Sequence, residues 1–163
     1  MNNIKAQAET HIDNKPPISK FPDGDVRNDP IGPVNKLINW TFIGEKPRLF
    51  CRLVGLFFHI ELPRLEHPIR IPHPFGIIIN SGAKLGRNVT VFQHVTIGSK
   101  RLGRNSGVAT IGDNVVIFPN AVIVGGITIG GAVIAPGSVV IESVPAGATV
   151  AGNPARVISS KAE

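Results

Sequence analysis

Leu85-Gly86-Arg87-Asn88-Val89-Thr90 is followed at once by Val91-Phe92-Gln93-His94-Val95-Thr96, and a further unit opens at Ile97. After an interruption the same count resumes at Ile111, Ile117, Ile123 and Ile129. An aliphatic residue therefore returns at almost every sixth position from Ile77 to Ile158, with Gly, Asn or another small residue between. Six is neither the helical period nor a strand alternation. A repeat this short fits a β-solenoid, in which each unit is one short strand plus a turn and stacked neighbours bury a continuous core.

The first residue of each unit points inward, and four places later Val89, Val95, Val115 and Ala121 form a second inward row. The fourth place holds Asn88, Asn114, Asn120 and Gly126, types that tolerate the left-handed backbone of a tight turn. A Val/Ile-rich sandwich would have no reason to keep three such rows in one phase. One coil is a residue short, because Ile129-Gly130-Gly131-Ala132-Val133 precedes Ile134, and Gly130 and Gly131 are expected to let the backbone tighten there.

Working outward, 163 residues suit one domain with a substantial core. A single cysteine, Cys51, excludes a disulfide framework within the chain. Residues 1–13 lack the apolar centre of a signal peptide, and nothing approaches the roughly 18 apolar residues of a membrane span. A cytoplasmic protein is expected. The formal charge of +6 suggests an anionic ligand. With only 6% aromatic residues and no groove-reading motif, that ligand is a phosphorylated small molecule rather than nucleic acid.

Residues 1–32 are polar and carry Pro16, Pro17, Pro22 and Pro30, which reads as an arm, disordered or laid over a neighbouring subunit. Residues 33–60 read as short helices. Pro33 suits the first turn of one that runs through Trp40, with Val34, Leu37 and Ile38 on one face. From Pro47 to Phe58 a second helix places Leu49, Phe50, Leu53, Val54 and Phe57 in a stripe, with Lys46, Arg48 and Arg52 outside. A basic amphipathic helix suits a membrane surface. The expectation preferred here is that it packs on the open end of the solenoid, which otherwise exposes core and strand edges. The β-helix is expected over 61–158 with an inserted loop at 99–110, and 159–163 form a tail. The first coil, 61–73, is Pro-rich and imperfect. His73 stands where an aliphatic is expected, and a broken local rule marks a functional place.

Three blocks carry a resemblance: His73-Pro74-Phe75-Gly76-Ile77-Ile78-Ile79-Asn80, Val91-Phe92-Gln93-His94-Val95-Thr96-Ile97-Gly98, and Ala151-Gly152-Asn153-Pro154-Ala155-Arg156-Val157-Ile158. In this order they resemble the serine acetyltransferase-like branch of the hexapeptide-repeat acyltransferases. The resemblance implies a left-handed parallel β-helix, a homotrimer, acetyl-CoA as donor and a small-molecule hydroxyl as acceptor. It implies that His73 is the catalytic base, because a neutral imidazole can take the hydroxyl proton as the oxygen attacks the thioester. Cys51 is then a packing residue. Glu61 resembles the family's acidic partner of that base, which fixes the tautomer and stabilises the imidazolium. The interval from Glu61 to His73 is shorter than the family's, so Glu66 remains in play.

The resemblance also places Gly98, Ser99, Pro119, Pro136 and Arg156 along the coenzyme A groove, with Arg156 suited to phosphate. Arg101 and Arg104 are either phosphate contacts or a solvated loop. Pro72 and His94 are the candidates on the acceptor side, although His94 occupies a turn place and faces either acceptor or water. Serine acetyltransferases resemble one another in an acid just before the base and a histidine in the interrupting loop. Here Pro72 and the histidine-free Ser99-Lys100-Arg101-Leu102-Gly103-Arg104-Asn105-Ser106-Gly107 stand instead. Nor does the sequence match the family's long helical N-terminal domain or its terminal isoleucine. A sugar hydroxyl of surface-polysaccharide synthesis is therefore the preferred acceptor, with L-serine second.

Two other classes are open to test. A zinc carbonic anhydrase-like solenoid needs three protein ligands and an open position; His67, His73 and His94 are candidates, but Phe118, Pro119 and Val124 stand where its coil histidines belong, so no metal is expected. A non-enzymatic solenoid leaves His73 without a purpose.

Overall fold

The computed structural model describes residues 32–160; the expected arm, apart from Gly32, and residues 161–163 of the tail lie outside the described residues. The repeat winds as a left-handed parallel β-helix with three faces. Face one stacks β1 (Ile78–Ile79), β4 (Thr96–Lys100), β8 (Val122–Val124) and β11 (Val139–Val140). Face two stacks β3 (Thr90–Val91), β7 (Val116–Ile117), β10 (Val133–Ile134) and β12 (Ala148–Gly152), and face three stacks β2 (Lys84–Leu85), β6 (Thr110–Ile111) and β9 (Thr128–Ile129). Ladder partners on these faces are parallel and in register, as Ile79 with Ile97, Ile97 with Ile123 and Ile123 with Val140 illustrate.

The register follows from the inward rows. Val91, Ile97, Ile111, Ile117, Ile123, Ile129 and Ile134 are fully buried, as are Val89, Val95, Val115 and Ala121 of the second row. Each stacks on its equivalent in the next coil, so a slip of one residue would turn every aliphatic outward. Asn88, Asn114 and Asn120 hold the turn row with φ of 54°, 59° and 61°, and Asn88 Nδ2 donates to Asn114 Oδ1 at 2.9 Å. At the expected Gly126 position the left-handed residue is instead Gly125, φ 111°. Both glycines are required by close approach of the inserted loop: a Cβ on Gly125 would lie 2.6 Å from the Asn105 carbonyl oxygen, and one on Gly126 would overlap that of Ser106. The short coil is present, with Ile129 and Ala132 buried three residues apart. Gly130 serves it through proximity rather than a left-handed φ, since a Cβ there would meet the Ala146 amide nitrogen at 2.5 Å.

Two helices, α1 (Pro33–Phe42) and α2 (Arg48–Phe58), precede the coils. α1 closes the open end. Ile38 and Phe42 enter the core, and the buried Asn39 side chain takes the place of a missing strand: Nδ2 donates to the Ile69 carbonyl at 2.8 Å while Oδ1 accepts from the Ile69 amide at 2.9 Å. α2 corrects the expected packing. Its body-facing arc is Cys51, Val54, Gly55 and Phe58, whereas Leu49, Phe50, Leu53 and Phe57 of the expected stripe are exposed. A Cβ on Gly55 would lie 2.7 Å from the Ile60 carbonyl oxygen, so glycine there lets the chain turn back tightly past the end of α2. Cys51 Sγ donates to the Thr41 carbonyl at 3.4 Å, a packing role. At the other end β13 (Ala155–Ser160) folds back antiparallel on β12.

Candidate active site

The corner that joins face two to face one is regular in three coils and expanded in the first. Val91 to Val95, Ile117 to Ala121 and Ile134 to Ser138 are buried positions four residues apart, but Ile71 to Ile77 spans six. The two extra residues push Pro72-His73-Pro74-Phe75-Gly76 outward, so His73 is exposed between inward Ile71 and Ile77. It does not substitute for a core aliphatic, contrary to the expectation from spacing.

The expanded corner is held by short backbone bonds. The Phe75 amide donates to the His73 carbonyl at 2.9 Å, and the His94 amide donates to the Phe75 carbonyl at 3.0 Å. His94 takes the left-handed turn place of its coil, φ 57°, which histidine tolerates better than most residues. Gly76, φ 64°, packs so closely under the His94 imidazole that a Cβ would overlap its Nδ1. Two aromatic groupings result. His73 tilts against Phe92 at 6.3 Å between ring centroids, and Phe92 stacks on Phe118 at 5.1 Å with planes 10° apart. Phe75 lies between His94 at 6.0 Å and His59 at 5.1 Å.

Glu61 begins face one, bridged to Ile78: its amide donates to the Ile77 carbonyl at 2.8 Å, and its carbonyl accepts from the Ile79 amide at 2.7 Å. The shortened interval to His73 is therefore absorbed by the imperfect first coil without moving Glu61 out of the ladder. Its side chain lines an open cleft of about 1040 Å³ between α2 and the start of face one, with His59, Arg48, Arg52 and Arg64 among the other walls. His73 lies outside that lining, and within one chain neither the Glu61 nor the Glu66 carboxylate makes a hydrogen bond to it. His59 was missed in the sequence. Its signal was position, two residues before Glu61, where the chain leaves α2 through a left-handed C-cap with φ 51°.

Of the other candidates, Gly98, Ser99, Pro119 and Pro136 occupy the two edges of face one, and Arg156 lies on β13 beside face two. Pro119 and Pro136 lie on the corner that carries Gln93 and His94, and the Pro119 carbonyl accepts from the Gly137 amide at 2.9 Å. Gly98 and Ser99 lie at the far edge, where β4 continues into the inserted loop and Ser99 pairs with Val108 of β5 (Gly107–Val108). The loop folds toward the later coils. Lys100 Nζ donates to the Arg104 carbonyl at 2.6 Å, Asn105 Nδ2 donates to the Ile141 carbonyl at 3.1 Å, and the Arg104 guanidinium stands 3.8 Å from the Glu142 carboxylate. Arg156, on β13, is exposed and donates to its neighbour's carbonyl, Ala155, at 2.9 Å. Face one thus lies between the two groups, bordered by Ile78, Thr96, Val122 and Val139 on its outer surface. Among the described residues no three His, Cys, Asp or Glu side chains come together as a metal site would need.

No family model matches the chain. It is 43% identical over 115 residues to a serine acetyltransferase of Bacillus licheniformis, an alignment that covers 68% of this chain and 53% of that protein. Among solved structures it is similar to serine acetyltransferase of Neisseria gonorrhoeae, with 30% identity and a TM-score of 0.61 over 71% of this chain and 46% of the other. It is also similar to serine acetyltransferase of Brucella abortus in complex with coenzyme A, with 27% identity and a TM-score of 0.56 over 79% of this chain and 54% of the other. The chain spans about half the length of the curated relatives it matches.

Proposed function

We propose, because the chain belongs to the serine acetyltransferase-like branch of the hexapeptide-repeat acyltransferases, that it is an acetyl-CoA-dependent O-acetyltransferase. The observation that carries this reading is the expanded corner, which sets His73 outside the stacked coils between buried Ile71 and Ile77. In the reaction the acceptor oxygen attacks the thioester carbonyl carbon as the His73 imidazole takes the hydroxyl proton. The carbon–sulfur bond then breaks, and the thiolate receives that proton to leave as free coenzyme A. No acyl-enzyme forms, consistent with Cys51 turned into the helix packing. Glu61 is the proposed carboxylate partner, with Glu66 the alternative. Gly98, Ser99, Pro119, Pro136 and Arg156 are the proposed donor-groove residues, and His94 and Pro72 border the acceptor.

The acceptor that the comparisons favour is L-serine, since the relatives and structures are serine acetyltransferases. This displaces the sugar hydroxyl from first place. The sugar remains a second reading on one specific observation: the flat Phe92–Phe118 stack beside His73 suits the C–H face of a sugar ring. A homotrimer is proposed as well. The outer row of Ile78, Val122 and Val139 gives face one a flat, β-branched surface, and a threefold ring would set a neighbour against the groove. Use of acetyl-CoA suits a cytoplasmic site; among the described residues no helix is long and apolar enough to cross a membrane. The test is release of free thiol from acetyl-CoA with L-serine and with nucleotide sugars. Turnover with serine at least tenfold above any sugar supports the first reading, the reverse order supports the second, and no thiol release with any acceptor refutes both.

A further inference from the structure

The outward arc of α2 has no partner among the described residues. At the helical period Leu49, Leu53, Leu56 and Phe57, with Phe50 at the edge, cover roughly 120° of the helix, opposite the arc packed on the body. Leu49, Leu56 and Phe57 are 70%, 72% and 78% exposed, which is far more than a scattered surface residue needs. Phe50 meets exposed Trp40 of α1 edge to face at 5.7 Å, so the apolar surface runs on into the first helix. Its border is basic. Arg48 and Arg52 border one side of the arc, Lys46 Nζ sits 4.2 Å from the Trp40 ring centroid, and α2 itself contains no acidic residue. Among the described residues neither Arg48 nor Arg52 has a carboxylate within ion-pair distance. Residues 32–64 carry five Lys and Arg against only Glu45 and Glu61.

We propose that α1 and α2 dock this face on an anionic membrane surface, the apolar arc entering the interfacial layer and the arginines reaching lipid phosphates. The charge decides between occupants. The α2 of a second copy offers no carboxylate to Arg48 and Arg52, whereas an anionic lipid surface complements them. Exposed tryptophan with flanking cations is also the composition of a membrane interface rather than of a protein core. The exposed arc of α2 is assigned no part in the chemistry; Arg48 and Arg52 also line the cleft beside Glu61, so thiol release by their variants is measured alongside vesicle binding.

The full chain is sedimented with vesicles of phosphatidylcholine alone and of phosphatidylcholine with about 30% phosphatidylglycerol, at low and at moderate salt. The expected result is binding to the anionic vesicles, weakened by salt and absent for phosphatidylcholine alone. The variant Leu53→Glu/Phe57→Glu should lose it at least tenfold. Arg48→Ala and Arg52→Ala should each weaken it by about fivefold. The substituted side chains are exposed, and an unchanged thermal midpoint verifies that the variants fold. No binding of the parent chain to anionic vesicles overturns the proposal, as does binding that survives Leu53→Glu/Phe57→Glu. If that variant instead dissociates the oligomer while the parent ignores vesicles, the face is a contact between copies, and the proposal falls.

Discussion

Replacing Asn39 by Ala removes the amide that stands in for a strand at the open end of the coil. Two hydrogen bonds to Ile69 are lost, one in each direction, at 2.8 and 2.9 Å. Ile69 is 1% exposed and Asn39 8%, so water has no easy route to the freed backbone N–H and C=O. Each buried backbone group left without a partner costs about 1–3 kcal/mol, and two give roughly 2–6 kcal/mol. For a chain of this length each kcal/mol moves the thermal midpoint by about 2–4 °C, so a drop on the order of 5–15 °C is expected. Asn39→Asp should be no milder, because it keeps one acceptor, loses the donor and buries a charge. The assay is thermal unfolding by circular dichroism at fixed protein concentration, since assembly contributes to the midpoint. Asn35→Ala is the control, because the Asn35 side chain accepts from Asn39 at 3.2 Å but bonds nothing in the first coil. A shift below about 2 °C for Asn39→Ala would refute the claim that this side chain completes the coil end.

His73→Ala should lower turnover by roughly 10² to 10⁴ while coenzyme A affinity changes little, measured by steady-state thiol release and by calorimetry; near-normal turnover would move the base to His59 or His94. Gly76→Ala should cost about 1–2 kcal/mol for a Cβ at φ 64° and should also displace the His94 ring, visible as a shifted imidazole resonance. An unshifted ring with native stability would show that the corner is looser than drawn.

The period of six, with Ile111, Ile117, Ile123 and Ile129 in one row and Asn88, Asn114 and Asn120 in another, was sufficient to define the coil. Inward aliphatics and left-handed turns are local requirements that leave their mark at each position. His73 and Glu61 could be singled out from motif and order, but not their separation. That depends on two residues inserted between Ile71 and Ile77 and on where the imperfect first coil places each side chain, which no periodicity records. His59 escaped notice because its position follows from the end of α2, not from the repeat. The sequence points to the wrong rotation of α2: its more apolar stripe, with Leu49, Phe50, Leu53 and Phe57, reads as inward, whereas Cys51, Val54, Gly55 and Phe58 face the body. Packing of Cys51, Val54 and Phe58 against the core decides it, leaving Leu49, Leu53, Leu56 and Phe57 outside. The sequence by itself determined what stacks on what, because identical neighbours bury identical side chains; only tertiary contact decided which faces stay open, because that is set by distances between segments far apart in the chain.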